Sequence, residues 1–114
     1  MAGSEGKKIT HKSRKQDIAL NIVQLTDLHL FSDPKEQLLG VNTEESFLAV
    51  LDLALQSHDK PDLMILSGDL TQDGSKEAYK RLRGYLSRLD FPCYCLPGNH
   101  DNPALMQSIL NKGN

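Results

Sequence analysis

The sequence lacks the apolar segments that membrane insertion or secretion requires. No apolar run approaches membrane-spanning length, and the first residues, Met-Ala-Gly-Ser-Glu-Gly-Lys-Lys, contain no apolar core of a signal peptide. The formal net charge of −2 gives no basic surplus for binding nucleic acid. We therefore expect a cytoplasmic protein with neither a membrane nor a nucleic acid as partner.

Cysteine is also scarce. The two cysteines, Cys93 and Cys95, lie two residues apart, without the second pair that a zinc site needs and without the C-x-x-C spacing of a redox site. On a strand their side chains point to the same face. They are expected to be small buried apolar residues in a reducing compartment.

Charge is unevenly distributed along the chain. Residues 1–17 contain five of the 13 Lys and Arg residues and almost nothing apolar to bury, so this segment is predicted to be a disordered basic tail. The remaining residues 18–114 are acidic, which suits cation binding. The total of 114 residues is enough for one domain and not two.

Residues 18–114 show alternating strand and helix patterns. Short apolar runs bounded by Pro and Gly predict strands, and apolar residues at helical spacing after an N-capping residue predict helices. The predicted order is strand 18–25, helix from Asn42 to Leu55, strand 63–66, helix from Ser75 to Leu89, strand 91–96 and helix from Pro103 to Leu110. This β-α-β-α-β-α order predicts an α/β fold with parallel strands. Residues 26–41 are predicted to be a long polar connection, and the run at 63–66 a strand covered on both faces.

Polar side chains follow each predicted strand at its carboxyl end, where parallel α/β sheets bind ligands. One crossover separates each group from the next, so the three loops can converge on one rim. Glycines before two of the groups are expected to let the backbone turn sharply and to keep the rim open. The residues are Asp27 and His29 after the first strand, Gly68 and Asp69 after the second, and Gly98, Asn99, His100 and Asp101 after the third.

These residue types suit metal ions. Carboxylate, imidazole and amide oxygen together fit Mn, Fe or Zn better than calcium. Asp27 and His29 can reach one ion from a single loop, Asp69 can bridge two ions, and Asn99 can offer a carbonyl oxygen to the second. Each group alone has an ordinary explanation as a turn or surface residue, but the three in this order make coincidence a poor explanation.

Three segments resemble the first motifs of the calcineurin-like metallophosphoesterases: Thr26-Asp27-Leu28-His29, Ser67-Gly68-Asp69-Leu70-Thr71 and Leu96-Pro97-Gly98-Asn99-His100-Asp101. Leu38-Leu39-Gly40-Val41-Asn42-Thr43, with Cys93 before the third motif, is similar to the bacterial class III 3′,5′-cyclic-nucleotide phosphodiesterases. The resemblance covers about residues 20–110. It implies a two-sheet α/β sandwich with a dinuclear centre of Fe, Mn or similar ions, and no organic cofactor.

The resemblance also implies the role of each residue. Asp27 and His29 would bind the first metal, Asp69 would bridge, and Asn99 would bind the second. Asn99 and His100 would contact the substrate, and His100 would stabilise the transition state or protonate the leaving alkoxide. Cyclic AMP would be hydrolysed to 5′-AMP by a metal-activated hydroxide. Asp101 is expected to support its loop.

The sequence departs from the family pattern in two respects. Some relatives have an Asp three residues after the bridging Asp that orients the catalytic His, and Gln72 stands there, followed by Asp73. The family pattern continues with a lone His and Gly-His-x-His, which these 114 residues do not contain; His11 and His58 are expected to be surface residues. We therefore expect the chain to be the N-terminal part of the domain, with weak metal binding and no turnover by itself.

Other functions remain open on the sequence. The chain could belong to a phosphoesterase of the same family that acts on another phosphate ester, with residues 31–42 determining the substrate. It could also be a truncated copy without catalytic activity. A receiver-like domain with a Mg²⁺ pocket would explain Asp27 and Asp69 but gives no role to His29, Asn99 or His100.

Overall fold

The computed structural model describes residues 5–12, 19–56 and 61–110. In chain order the elements in these ranges are β1 (Glu5–Lys12), β2 (Ala19–Thr26), β3 (Gln37–Leu38), β4 (Val41–Asn42), α1 (Thr43–Leu55), β5 (Leu63–Ser67), α2 (Lys76–Leu86), β6 (Cys93–Cys95) and α3 (Pro103–Ile109). No helix in these ranges is long and apolar enough to cross a membrane.

The main sheet has four strands in the order β1-β2-β5-β6. β2 pairs with β5 in parallel, with Val23 opposite Met64, and β5 pairs with β6 in parallel, with Met64 opposite Cys93. The predicted α/β fold with three parallel strands is therefore confirmed. The second large sheet of the expected sandwich is not among the residues described.

The prediction of a disordered tail over residues 1–17 is wrong for Glu5–Lys12. This segment forms β1, which pairs antiparallel with the whole of β2. The prediction considered only what the tail can bury, whereas β2 offers an open edge of backbone N–H and C=O groups that a polar segment can pair with. Residues 1–4 and 13–17 lie outside the described ranges.

Each helix begins at a residue whose side chain accepts a hydrogen bond from the first turn. Asn42 caps α1 and Ser75 caps α2, both as predicted, and Asn102 caps α3 immediately before Pro103. α2 ends earlier than predicted: Ser87 is its C-terminal cap, and Leu89 packs against the core from the following turn. The connection after β2 contains the β3–β4 hairpin, which the sequence pattern did not predict.

The core lies on one face of the sheet. The alternating residues Val23 and Leu25 of β2 and Met64 and Leu66 of β5 are buried there against all three helices. Cys93 and Cys95 lie partly buried against the same cluster. On the other face Ile65 is half-buried and its neighbour Tyr94 is exposed, so the expectation of cover on both faces of β5 is not met by the described residues.

Candidate active site

The loops that follow β2 and β5 are joined by a ladder of backbone hydrogen bonds. These two loops carry the first two predicted motifs. The rungs are Asp27 N to Ser67 O at 3.1 Å, His29 N to Asp69 O at 2.9 Å, Leu30 N to Leu70 O at 3.0 Å and Gln72 N to Leu30 O at 2.8 Å. The parallel pairing of the strands therefore continues into the site, which places the two motifs side by side.

Asp27 and His29 adopt left-handed backbone conformations, with φ of 57° and 51°. Such φ values are uncommon for residues other than glycine and store strain at functional sites. Between and after them, Leu28 and Leu30 are fully buried. Burial of the two leucines anchors the loop, while Asp27 stays exposed and His29 half-buried at the rim.

Two glycines allow the loops to approach closely. A Cβ at Gly68, whose φ is 78°, would lie 2.5 Å from Oδ1 of Asp27. A Cβ at Gly98 would lie 2.4 Å from Oδ1 of Asp69 and 2.6 Å from its backbone N. Gly98 is thus required for space and not for a left-handed turn, which refines the expectation from the sequence.

Asp69 is held by the loop that follows β6. Its Oδ1 accepts a hydrogen bond from the backbone N–H of His100 at 2.9 Å, and its Oδ2 lies 2.7 Å from Nδ1 of the His100 ring. Burial by itself would raise the pKa of Asp69, but the hydrogen bonds from His100 and the charges of His100 and His29 hold it below its ordinary value. The lowered pKa favours the ionised form of the Asp69 carboxylate.

His29 and His100 face each other across this rim. Their ring centroids are 6.3 Å apart, in an edge-to-face arrangement. Nδ1 of His29 lies 2.8 Å from Oε1 of Gln72, while Nδ1 of His100 is engaged by Asp69. Nδ1 of each histidine is therefore within hydrogen-bonding distance of a protein side chain. Asp69 is therefore the residue that orients the His100 ring, whereas Gln72 contacts His29.

Asp101 joins the loops after β5 and β6, in agreement with a role in supporting its loop. Its carboxylate accepts hydrogen bonds from groups on three segments. The donors are Leu70 N, Thr71 N, Thr71 Oγ1, the hydroxyl of Tyr79 and Gly98 N, at 2.8–3.0 Å. The buried Tyr79 hydroxyl also accepts from Asn102 N, and burial raises the pKa of Tyr79 to about 12.

A second set of contacts anchors the segment that follows His29. The Ser32 N–H donates to Asp73 Oδ2 at 2.9 Å, and Arg81 donates to the carbonyls of Phe31 and Ser32. Arg81 in turn pairs with the buried carboxylate of Glu44 at 2.8 Å. The beginning of the segment predicted to determine the substrate is thereby attached to both α1 and α2.

The predicted metal ligands are only partly brought together. Asp27, His29 and Asp69 lie on the joined loops, with Oδ1 of Asp27 3.4 Å from the backbone N of Asp69, and Asn99 lies exposed on the third loop. Their donor types fit a transition metal, but within the described residues no group of three or more His, Cys, Asp or Glu side chains could hold an ion. His58 lies outside the described ranges, and His11 lies in β1.

Sequence reasoning missed the contacts of Gln72, Tyr79 and Arg81. Gln72 had a signal, because it stands three residues after Asp69, at one of the two places where the sequence departs from the family pattern that it resembles. Tyr79 and Arg81 are part of an ordinary helical pattern in α2, so their roles are visible only once the loops are folded against that helix.

Comparison with known proteins gives one consistent result. Residues 20–113 match the family model described as calcineurin-like phosphoesterase. The chain is 41% identical over 98 residues to a 3′,5′-cyclic-nucleotide phosphodiesterase of Nostoc sp., a match covering 86% of this chain and 37% of the relative. It is 42% identical over 95 residues to the 3′,5′-cyclic adenosine monophosphate phosphodiesterase CpdA of Escherichia coli K12, covering 82% of this chain and 34% of the relative. The chain thus spans about a third of the length of these curated relatives.

Proposed function

The chain belongs to the calcineurin-like phosphoesterase family, and from that premise we propose that the full-length protein is a metal-dependent phosphodiesterase that hydrolyses 3′,5′-cyclic AMP to 5′-AMP in the cytoplasm. The substrate class is supported by relatives whose names describe cyclic-nucleotide phosphodiesterases. The reaction class is supported by the positions of His29, Asp69 and His100 on the three joined loops.

The observation that carries the proposal is the position of Asp69 between the other two motifs. Its backbone carbonyl accepts from His29 N, and its carboxylate accepts from His100 N and contacts the His100 ring. Asp69 thereby lies between the loop that carries His29 and the loop that carries His100, which supports its assignment as the bridging ligand. In the proposed site, His100 would lie beside the bound phosphate.

We assign Asp27 and His29 to one ion, Asp69 to both and Asn99 to the other, with Fe and Mn or similar ions as the metals. When bound, such ions polarise the phosphoryl oxygens and lower the pKa of water. Four donors are fewer than two ions require, so the proposal assigns the remaining ligands to residues outside those described. Asn99 is exposed on its loop, where its amide can also reach the substrate.

His100 is assigned to the leaving group. Hydrolysis to 5′-AMP adds water at phosphorus and breaks the bond from phosphorus to O3′, so O3′ leaves as an alkoxide that must gain a proton. Because Nδ1 of His100 faces the accepting carboxylate of Asp69 and holds a proton there, proton transfer to O3′ requires the imidazolium form of the ring, which gives up its Nε2 proton and becomes neutral. The His100 side chain retains 49% of its exposure, so a ligand can approach it.

The test is turnover by purified full-length protein loaded with Mn²⁺. We expect 5′-AMP from 3′,5′-cyclic AMP, with little activity on 2′,3′-cyclic AMP and a loss of activity by orders of magnitude in an Asp69→Asn variant. Hydrolysis of a bis-nitrophenyl phosphate but not of cyclic AMP would instead indicate a phosphoesterase with another substrate. Failure to bind metal and to act on either compound would identify a non-catalytic copy.

A further inference from the structure

The contact between His29 and Gln72 crosses the two joined loops. Nδ1 of His29 lies 2.8 Å from Oε1 of Gln72, and both side chains are partly buried. Neither the family assignment nor the roles given above to the metal ligands requires a glutamine at this place.

The backbone holds the two residues in register. The N–H of His29 donates to the carbonyl of Asp69, and the N–H of Gln72 donates to the carbonyl of Leu30. A bridge between Leu30 and Thr71 lies beside this contact. Backbone hydrogen bonds between the two loops therefore keep His29 and Gln72 next to each other.

The chemistry of an amide oxygen limits what this contact can be. An amide oxygen only accepts hydrogen bonds, so Nδ1 of a neutral His29 must carry the proton and Nε2 must carry the lone pair. We propose that Gln72 is a positioning residue that holds His29 in this tautomer and presents Nε2 as its metal-binding atom. The assignment of Nε2 as the metal-binding atom rests on the proposed function, whereas the tautomer of His29 does not.

The neighbouring acidic residue cannot take over this role. Asp73 is engaged on both oxygens, by the backbone N–H groups of Ser32 and Ser75 at 2.9 and 3.2 Å. Gln72 is uncharged, so it orients the ring without adding a further negative charge beside Asp27 and Asp69. Partners of this kind set which ring nitrogen a histidine offers to a metal.

The first test measures the tautomer directly, in metal-free full-length protein labelled with ¹⁵N at histidine. The His29 signals are assigned from their loss in a His29→Gln variant. We expect a protonated Nδ1 and an unprotonated Nε2 in the wild type, a mixture of tautomers in Gln72→Leu, and the wild-type pattern in Gln72→Glu, which keeps an accepting oxygen. Gln56→Leu, at the end of α1, serves as the control and should change nothing.

The second test measures Mn²⁺ affinity of the same variants by titration. Loss of such an orienting partner typically weakens metal binding about 10–100-fold. We expect this loss in Gln72→Leu and near-normal affinity in Gln72→Glu, whose folding is checked by its thermal transition.

The outcomes separate this inference from the proposed function. A wild-type His29 protonated at Nε2 and not at Nδ1, or a Gln72→Leu variant with unchanged spectrum and affinity, would overturn the role of Gln72 while leaving the phosphoesterase assignment intact. The expected tautomer in a wild-type protein that binds no Mn²⁺ would support the contact and overturn the metal site.

Discussion

Asp69 contacts both of the other motifs, because its carboxylate is engaged twice by His100 and its backbone N lies 3.4 Å from Oδ1 of Asp27. Asp69→Asn preserves the shape but removes the charge that two cations would share. We expect activity of the full-length enzyme to fall by orders of magnitude and metal content to fall with it. Metal analysis and cyclic AMP turnover on the same preparation measure both effects.

Asp73→Asn is the matched control, four residues away on the same loop. Asp73 accepts from the backbone of Ser32 and Ser75 and contacts none of the assigned ligands in the described structure. We expect it to retain activity within about tenfold, which is roughly 1.4 kcal/mol in the barrier. Equal losses in the two variants would show that Asp69 has been given the wrong role.

His100 acts on the leaving group in the proposed reaction, and this role has a kinetic signature. Acid–base help of this kind is typically worth about 10²–10⁴ in rate. We expect His100→Ala to lower kcat for cyclic AMP by that factor with metal content intact. The loss should be much smaller for a nitrophenyl phosphodiester, whose leaving group needs no proton.

Two other results for His100→Ala would change the assignment. Loss of the metals would make His100 a ligand. Equal slowing on both substrates would place its action on the phosphoryl charge, and the role as proton donor would be dropped.

The cysteines of β6 are expected to be poorly reactive. Burial raises the pKa of Cys93 to about 11, and burial together with the charges of Cys93 and Asp101 raises that of Cys95 to about 12. Since the thiolate is the reactive form, alkylation at pH 8 should be slower than for a free thiol by on the order of 10² or more. Stopped-flow or mass-spectrometric rates check this, and rates equal to those of a free thiol would show that the β6 thiols are not buried.

At the scale of elements, Asp101 is the junction between the loops after β5 and β6. Its carboxylate satisfies backbone N–H groups of both loops and the hydroxyl of α2 residue Tyr79. In Asp101→Asn an amide NH₂ would face some of these donors. Hydrogen bonds to charged groups contribute about 1.5–3 kcal/mol each, so we expect unfolding free energy to fall by roughly 2–4 kcal/mol.

Chemical denaturation of the full-length protein measures this loss. Asp33→Asn is the control, because Asp33 is exposed and its Oδ1 accepts from Lys35 N within its own loop. A similar loss in both variants would mean that the junction contributes nothing specific.

At the scale of the whole molecule, the sheet has one packed face and one open face in the described residues. The open face includes Leu20 and Tyr94, which are 46% and 56% exposed, and the half-buried Ile65 between their strands. An exposed apolar surface of this kind favours self-association. We therefore expect the isolated 114-residue chain to be marginally stable or to aggregate.

Light scattering and thermal unfolding of the isolated chain test this. Tyr94→Lys should reduce association with little loss of stability, whereas Leu66→Ala, on the packed face, should cost about 2–5 kcal/mol. A sharp, reversible transition of a monomer would contradict the prediction.

Much of the fold could be predicted because its signals are local. The cap at Asn42 and the apolar spacing after it specify α1, and Pro103 after Asn102 specifies the start of α3. Predictions failed where the partner was distant in the chain. β1 forms because β2 has an open edge, which is a property of the sheet and leaves no mark on the composition of residues 5–12.

For the site, the sequence by itself determined the donor types and their order at three strand ends, since parallel strands place their carboxyl ends at one edge. Only the tertiary structure decided the pairings: His100 with Asp69, His29 with Gln72, and Asp101 with the loop after β5. The physical reason is that a side-chain hydrogen bond depends on distances and angles of a fraction of an ångström, whereas sequence patterns specify only which faces and loops are brought together.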